Sequence, residues 1–120
     1  MKPRLLCVDD RKAEHILYEV NLGDEYELLT AMNSAEARES IASHNDIDGI
    51  LMDYQIKMEN GIFLAGELKE EGFEKSILMV SREILSEDLL TLFKEEYGFF
   101  DFVLKEPEHY KPKLAEMLRA

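Results

Sequence analysis

Three aspartates follow directly on short apolar runs: Asp9 and Asp10 after Arg4 to Val8 (RLLCV), and Asp53 after Gly49 to Met52 (GILM). Two later apolar runs end in groups of complementary chemistry, Ser81 after Ile77 to Val80 and Lys105 after Phe99 to Leu104. Three carboxylates within a few ångströms repel one another and raise each other's pKa. A hard divalent cation relieves that conflict, and Mg²⁺ takes one or two carboxylates while keeping waters or phosphate oxygens. With the charge so balanced, one carboxylate can attack a phosphoryl group and form an acyl phosphate. An ammonium such as Lys105 would neutralise the transferring group, and a hydroxyl such as Ser81 would donate a hydrogen bond to it. The set describes phosphoryl transfer to a carboxylate acceptor.

Such a site requires elements that bring distant residues to one edge. Short apolar runs alternate along the chain with longer amphipathic ones. Ala13, Ile16, Leu17 and Val20 recur at i, i+3, i+4 and i+7, one face of a helix. Tyr26 to Ala31 is a weaker strand candidate, and Asn33 with Glu36 marks the next helix start. Ile62, Ala65 and Leu68 mark a third helix that ends near Gly72. Ser86 is placed to cap a fourth carrying Leu89, Leu92 and Phe93, and Pro107 opens a fifth carrying Tyr110, Leu114, Met117 and Leu118. Strand–helix alternation at this spacing predicts a doubly wound α/β fold, with a five-stranded parallel sheet and helices on both faces. In such sheets ligands bind beyond the carboxyl ends of the strands. A strand order of 2-1-3-4-5 would bring the three acids together around strands 1 and 3, flanked by Ser81 and Lys105.

Composition narrows the partners. The chain has 120 residues, with 26 Asp and Glu against 14 Lys and Arg, a formal charge of −12. That excess disfavours nucleic acid and anionic membranes and favours a cation or a basic docking face. The single cysteine, Cys7, has no internal partner, which fits a reducing compartment. No apolar run approaches the ~18 residues of a membrane span, and no signal-peptide stretch follows the basic N-terminus. The expectation is one cytoplasmic domain over residues 1–120, without nucleic-acid or membrane binding.

The chain resembles the receiver domain of two-component response regulators. The resemblance rests on Cys7-Val8-Asp9-Asp10, on Leu51-Met52-Asp53 with Gly61 eight residues on, on Ser81 and on Lys105. It implies a flavodoxin-like fold in which Asp53 accepts a phosphoryl group from a histidine kinase or a histidine phosphotransfer protein. It further implies that Asp9, Asp10, Asp53 and the Gln55 backbone carbonyl bind Mg²⁺, and that Ser81 and Lys105 contact the phosphoryl oxygens. Phe102 looks like the switch aromatic, with output through the face of the fourth helix and its neighbours to an unknown downstream protein. The chain length implies a receiver without an attached output domain. Its role would be that of a signalling phosphoacceptor, not an enzyme beyond its own phosphorylation and dephosphorylation.

Four positions depart from the family pattern. Lys57 stands where a proline is usual, Glu59 where a methionine is usual, and Arg82 where a small residue leaves the phosphoryl site open. Arg82, with Gln55 and Glu83, therefore becomes a candidate modulator of access or of the phosphorylated lifetime. Glu106 separates Lys105 from Pro107, so a trans bond after the lysine would aim it differently. These departures motivate an alternative, a phosphorylation-independent interaction module on the same fold. A small aspartate phosphatase would need a second Asp two residues after Asp53, where Gln55 stands, and a flavin or nucleotide binder a phosphate loop after strand 1, where Arg11-Lys12-Ala13-Glu14 stands. His15, His44 and His109 show no ligand spacing and read as surface residues.

Overall fold

The computed structural model describes residues 1–119. Its elements in chain order are β1 (Arg4–Val8), α1 (Lys12–Leu22), β2 (Glu27–Ala31), α2 (Ser34–Ser43), β3 (Gly49–Asp53), β4 (Gln55–Ile56), β5 (Glu59–Asn60), α3 (Gly61–Glu70), β6 (Ser76–Ser81), α4 (Glu87–Tyr97), β7 (Asp101–Leu104) and α5 (Pro107–Arg119). The main sheet is parallel, in the order β2-β1-β3-β6-β7. This is the 2-1-3-4-5 order expected from the sequence. The numbering differs because β4 and β5 form a two-stranded antiparallel hairpin in the loop after Asp53, which the sequence pattern did not reveal.

Alternate residues of the central strands face opposite sides, and each side closes a core. On one face Leu6, Val8, Ile50, Met52, Ile77 and Met79 pack against Ala37 of α2 and Ile62, Ala65 and Leu68 of α3. On the other, Leu5, Cys7, Leu51, Leu78 and Val80 meet Tyr18 and Leu22 of α1 and Tyr110, Leu114 and Met117 of α5. Each fully buried Leu or Ile contributes about 1.5–3 kcal/mol, so strands buried on both faces hold the site's floor rigidly. The expected caps form: Asn33 Oδ1 accepts from Glu36 N at 2.9 Å and Ser86 Oγ from Leu89 N at 3.3 Å.

Helix α1 is rotated from what its apolar periodicity implies. Its buried positions are Glu14, Tyr18 and Leu22, spaced by four. Ile16, Leu17 and Val20 face solvent, Val20 with 74% exposure. The reason lies at the strand ends, where Tyr18 reaches Asp9 after β1 and Glu14 reaches Arg82 after β6, so polar anchoring sets the helix rotation. Helix α4 likewise has no fully buried residue: Leu89 and Leu92 are exposed, and only Leu90, Phe93 and Tyr97 pack partly against the core.

Candidate functional site: an acidic pocket at the strand ends

The ends of β1 and β3 lie side by side, in register Val8↔Met52, so Asp9, Asp10 and Asp53 converge. One carboxylate oxygen from each falls within 4.8 Å of the others. Asp9 is fully buried and Asp53 nearly so. Lys105 enters from the end of β7, its side chain 2% exposed, with Nζ 2.5 Å from Asp9 Oδ2 and 3.4 Å from Asp53 Oδ2. The peptide bond before Glu106 is trans. Lys105 points into the pocket with that trans bond. Its backbone explains this: Lys105 N donates to Ser81 O at 2.8 Å, which extends the β6–β7 ladder through the lysine.

Burial pushes the Asp53 carboxyl up to about 6; Lys105 pulls it down, and Asp9 raises it further. Three ionised carboxylates against one ammonium leave two negative charges, which a divalent cation cancels. The donor set of clustered carboxylate oxygens suits a hard ion such as Mg²⁺. Ser81, buried at the end of β6 beside β3, has its Oγ accepting from Glu83 N at 3.0 Å. Its hydroxyl proton is left to donate elsewhere. Glu83 thus touches the site through its backbone N–H, and the Gln55 N–H also lowers the Asp53 pKa.

Several site residues carried no signal in the sequence pattern. Tyr18 donates to Asp9 Oδ2 at 3.0 Å, and Arg11 N donates to Asp9 Oδ1 at 3.0 Å. Burial raises the Tyr18 hydroxyl well above its ordinary range, with the Asp9 charge adding to the shift, so it remains a donor. His15 is not a simple surface residue: its Nε2 donates to the Asp9 carbonyl at 2.7 Å. These contacts fix Asp9 through helical spacing from residues 15 and 18, which a search for ligand motifs does not register.

The departures acquire structural reasons. Lys57 N donates to Asp10 Oδ2 at 2.9 Å, a bond that a proline, lacking the N–H, cannot make. Glu59 Oε1 accepts from Ser34 N at 3.1 Å and so caps α2 from the hairpin. Arg82 pairs with Glu14, whose side chain is only 8% exposed. Phe102 is buried in the core, its ring edge-on to Tyr54 at 5.5 Å and tilted against Phe99 at 6.5 Å.

An open parallel sheet with a carboxylate cluster and a buried lysine at its switch point places the chain among doubly wound α/β domains whose site lies at the strand ends. The comparisons with known proteins narrow it: the family model described as "Response regulator receiver domain" matches residues 5–118, and the chain belongs to that family. The aerobic respiration control protein ArcA of Escherichia coli strain K12 is 28% identical over 104 residues, covering 86% of this chain and 42% of ArcA. The chain therefore spans less than half the length of the curated relatives it matches. Among solved structures, the Vibrio cholerae chemotaxis protein CheY4 superposes with a TM-score of 0.84 at 22% identity, covering 98% of this chain and 99% of the other. The receiver domain of the Francisella response regulator 1452 gives a TM-score of 0.85 at 18% identity, covering 98% of each. At those identities the likeness shows the fold.

Proposed function

We propose that this chain is a phosphoacceptor: Asp53 takes a phosphoryl group from a phosphohistidine on a histidine kinase or phosphotransfer protein, and the change is read by a protein partner. The observation that carries this reading is the convergence of Asp9, Asp10 and Asp53 with Lys105 at the ends of adjacent parallel strands. An Asp53 Oδ attacks phosphorus, the N–P bond to the donor imidazole breaks, and the O–P bond forms. Lys105 and the Ser81 hydroxyl balance charge on the phosphoryl oxygens. Bound Mg²⁺, held by Asp9, Asp10, Asp53 and the Gln55 carbonyl, would supply further charge neutralisation. Nothing in this chemistry turns over an external substrate beyond the donor, so the role is signalling. No described helix is long and apolar enough to cross a membrane. The phosphohistidine donor places this signalling role in the cytoplasm.

The test is incubation of the wild type with acetyl phosphate and Mg²⁺, followed by intact-mass measurement and peptide mapping. A single phosphoryl group on Asp53 is the expected result. No label, from acetyl phosphate or from a cognate kinase, would favour the phosphorylation-independent alternative.

Divalent metal gives an independent check, because it relieves a repulsion that folding creates. Mg²⁺ at 100 times its dissociation constant should stabilise the fold by about 2.7 kcal/mol. For a chain of this size that is a rise in melting temperature on the order of 10 °C. Asp10→Asn should lose most of that rise, and its metal-free melting point should not fall. An equal rise in the variant would remove Asp10 from the ligand set.

The solvent-facing stripe of Ile16, Leu17 and Val20 on α1 begins within two turns of Asp9 and Asp10. A donor protein that delivers a histidine to Asp53 would cover it. Val20→Lys should slow phosphotransfer from the cognate donor at least tenfold, on the scale of a central interface contact. Labelling by acetyl phosphate should not change. Equal slowing with both donors would mean a damaged pocket instead of a lost docking contact.

A further inference from the structure

The ion pair between Glu14 and Arg82 joins two elements on opposite sides of the phosphoacceptor strand. Glu14 lies in the first turn of α1, which follows β1, and Arg82 follows the last residue of β6. In the sheet β3 sits between β1 and β6, and it ends in Asp53. A contact from the start of α1 to the residue after β6 therefore spans the strand that ends in Asp53.

Two cations span this gap at different depths. Lys105 bridges Asp9 and Asp53 with its side chain 2% exposed, whereas Arg82 is 61% exposed and forms the outer layer. Glu14 is nearly buried, on the face where α1 meets Tyr110 of α5, and Arg82 is its one ion-pair partner among the described residues. A buried carboxylate that loses its only cation is strongly destabilised. The guanidinium is thus held on Glu14, and an anion arriving at Asp53 does not recruit it cheaply.

We infer that the Glu14–Arg82 pair is a strap across the mouth of the phosphoacceptor pocket, in which Glu14 is the positioning residue. This rests on the reading of Asp53 as phosphoacceptor. The strap restricts small phosphodonors on the way in. It equally restricts the water whose oxygen attacks phosphorus, breaking the O–P bond to Asp53 and releasing inorganic phosphate, with the water's protons passing to phosphate and solvent. A protein donor that docks on α1 contacts the helix carrying Glu14.

The experiment compares wild type, Glu14→Gln, Arg82→Ala, Arg82→Lys and the Glu14→Gln/Arg82→Ala double variant, each as the full chain with Mg²⁺. Labelling by acetyl phosphate is followed by intact mass, and loss of the label is followed after the donor is removed. Both rates should rise about five- to tenfold in each of Glu14→Gln and Arg82→Ala, the change that roughly 1 kcal/mol of closing free energy produces. The double variant should be no faster than either single one, and Arg82→Lys should stay near wild type. A general loosening of the fold would not produce that non-additivity. Glu14→Gln leaves no buried charge behind and only an exposed arginine unpaired, so it keeps the test available should Arg82→Ala, which strands the Glu14 carboxylate, fail to fold.

Unchanged rates in Arg82→Ala, or additive effects in the double variant, would overturn the strap. So would a shorter phosphorylated lifetime in Arg82→Ala with a longer one in Glu14→Gln, which would make Arg82 a phosphoryl ligand that Glu14 competes for. A wild type that takes no label overturns the Asp53 reading and the strap with it, whereas a labelled wild type with unaltered variants overturns the strap alone.

Discussion

Asp53→Asn should take up no phosphoryl group from acetyl phosphate or a cognate kinase, and it should be more stable than the wild type near neutral pH without metal. The first result follows from chemistry, since an amide is not a nucleophile toward phosphorus and no other aspartate occupies its place between β1 and β6. The second follows from linkage. The Asp53 carboxyl ionises near 6 in the folded protein against an ordinary 3.8, with burial the largest cause. A raised carboxyl pKa means that folding favours the protonated form. The group is therefore neutral toward stability below about pH 4, and its cost grows between about pH 4 and 6 and is complete above that range. With solvent screening, that cost is roughly 2 kcal/mol above pH 6. Asparagine never carries the charge and leaves Lys105 its partner Asp9. Melting curves in chelator should thus show the variant ahead at pH 7.5 and level with the wild type near pH 4. Wild-type labelling that persists in the variant at another residue would refute the site assignment. A variant no more stable at pH 7.5 would refute the electrostatic account.

Gly61→Ala should be the most damaging single methyl in the chain. A Cβ at residue 61 would lie 2.1 Å from the backbone carbonyl oxygen of Asp53 and 2.9 Å from the Met79 methyl. Gly61 N also donates to Tyr54 O at 2.8 Å, so the hairpin closes tightly onto the phosphoacceptor. The carbonyl belongs to a strand buried on both faces and cannot retreat into open space. Overpacking against such a backbone costs about 3 kcal/mol or more. The relief available is displacement of the segment from Asp53 to Gly61, which carries the Gln55 carbonyl and the Lys57 N–H that binds Asp10. The expected readouts are a melting temperature lowered on the order of 10 °C and Mg²⁺ affinity weakened by at least tenfold. A variant with wild-type stability would show that the hairpin is loosely held. At position 72, where φ is +105° but no neighbour approaches a Cβ, alanine should cost only the strain of that backbone conformation.

Most of the fold was legible because a parallel α/β sheet writes itself locally. Strands buried on both faces must be short apolar runs, as β1, β3 and β6 are, and helix starts need capping side chains, as Asn33 and Ser86 provide. The residues that meet in the pocket were legible for a related reason: each lies at or just after the end of a strand, and parallel strands end together. The hairpin of β4 and β5 was not, because two pairs of residues are too short to carry a periodic pattern. The orientation of α1 was not either. Its most regular apolar face is the one in solvent, and the side chains that set its rotation, Glu14 and Tyr18, answer to Arg82 and Asp9 across the fold.

By itself, then, the sequence determined the order of strands and helices and which carboxylates, lysine and serine share one edge, because these depend on local burial and chain direction. The tertiary structure decided how each of those groups is held: Tyr18 and Arg11 on Asp9, the Lys57 N–H on Asp10, Lys105 between Asp9 and Asp53, and Arg82 on Glu14. Those contacts join residues up to 96 positions apart, as Lys105 and Asp9 are. The strength of such bonds depends on the burial of both partners at once, a property that no local stretch of chain contains.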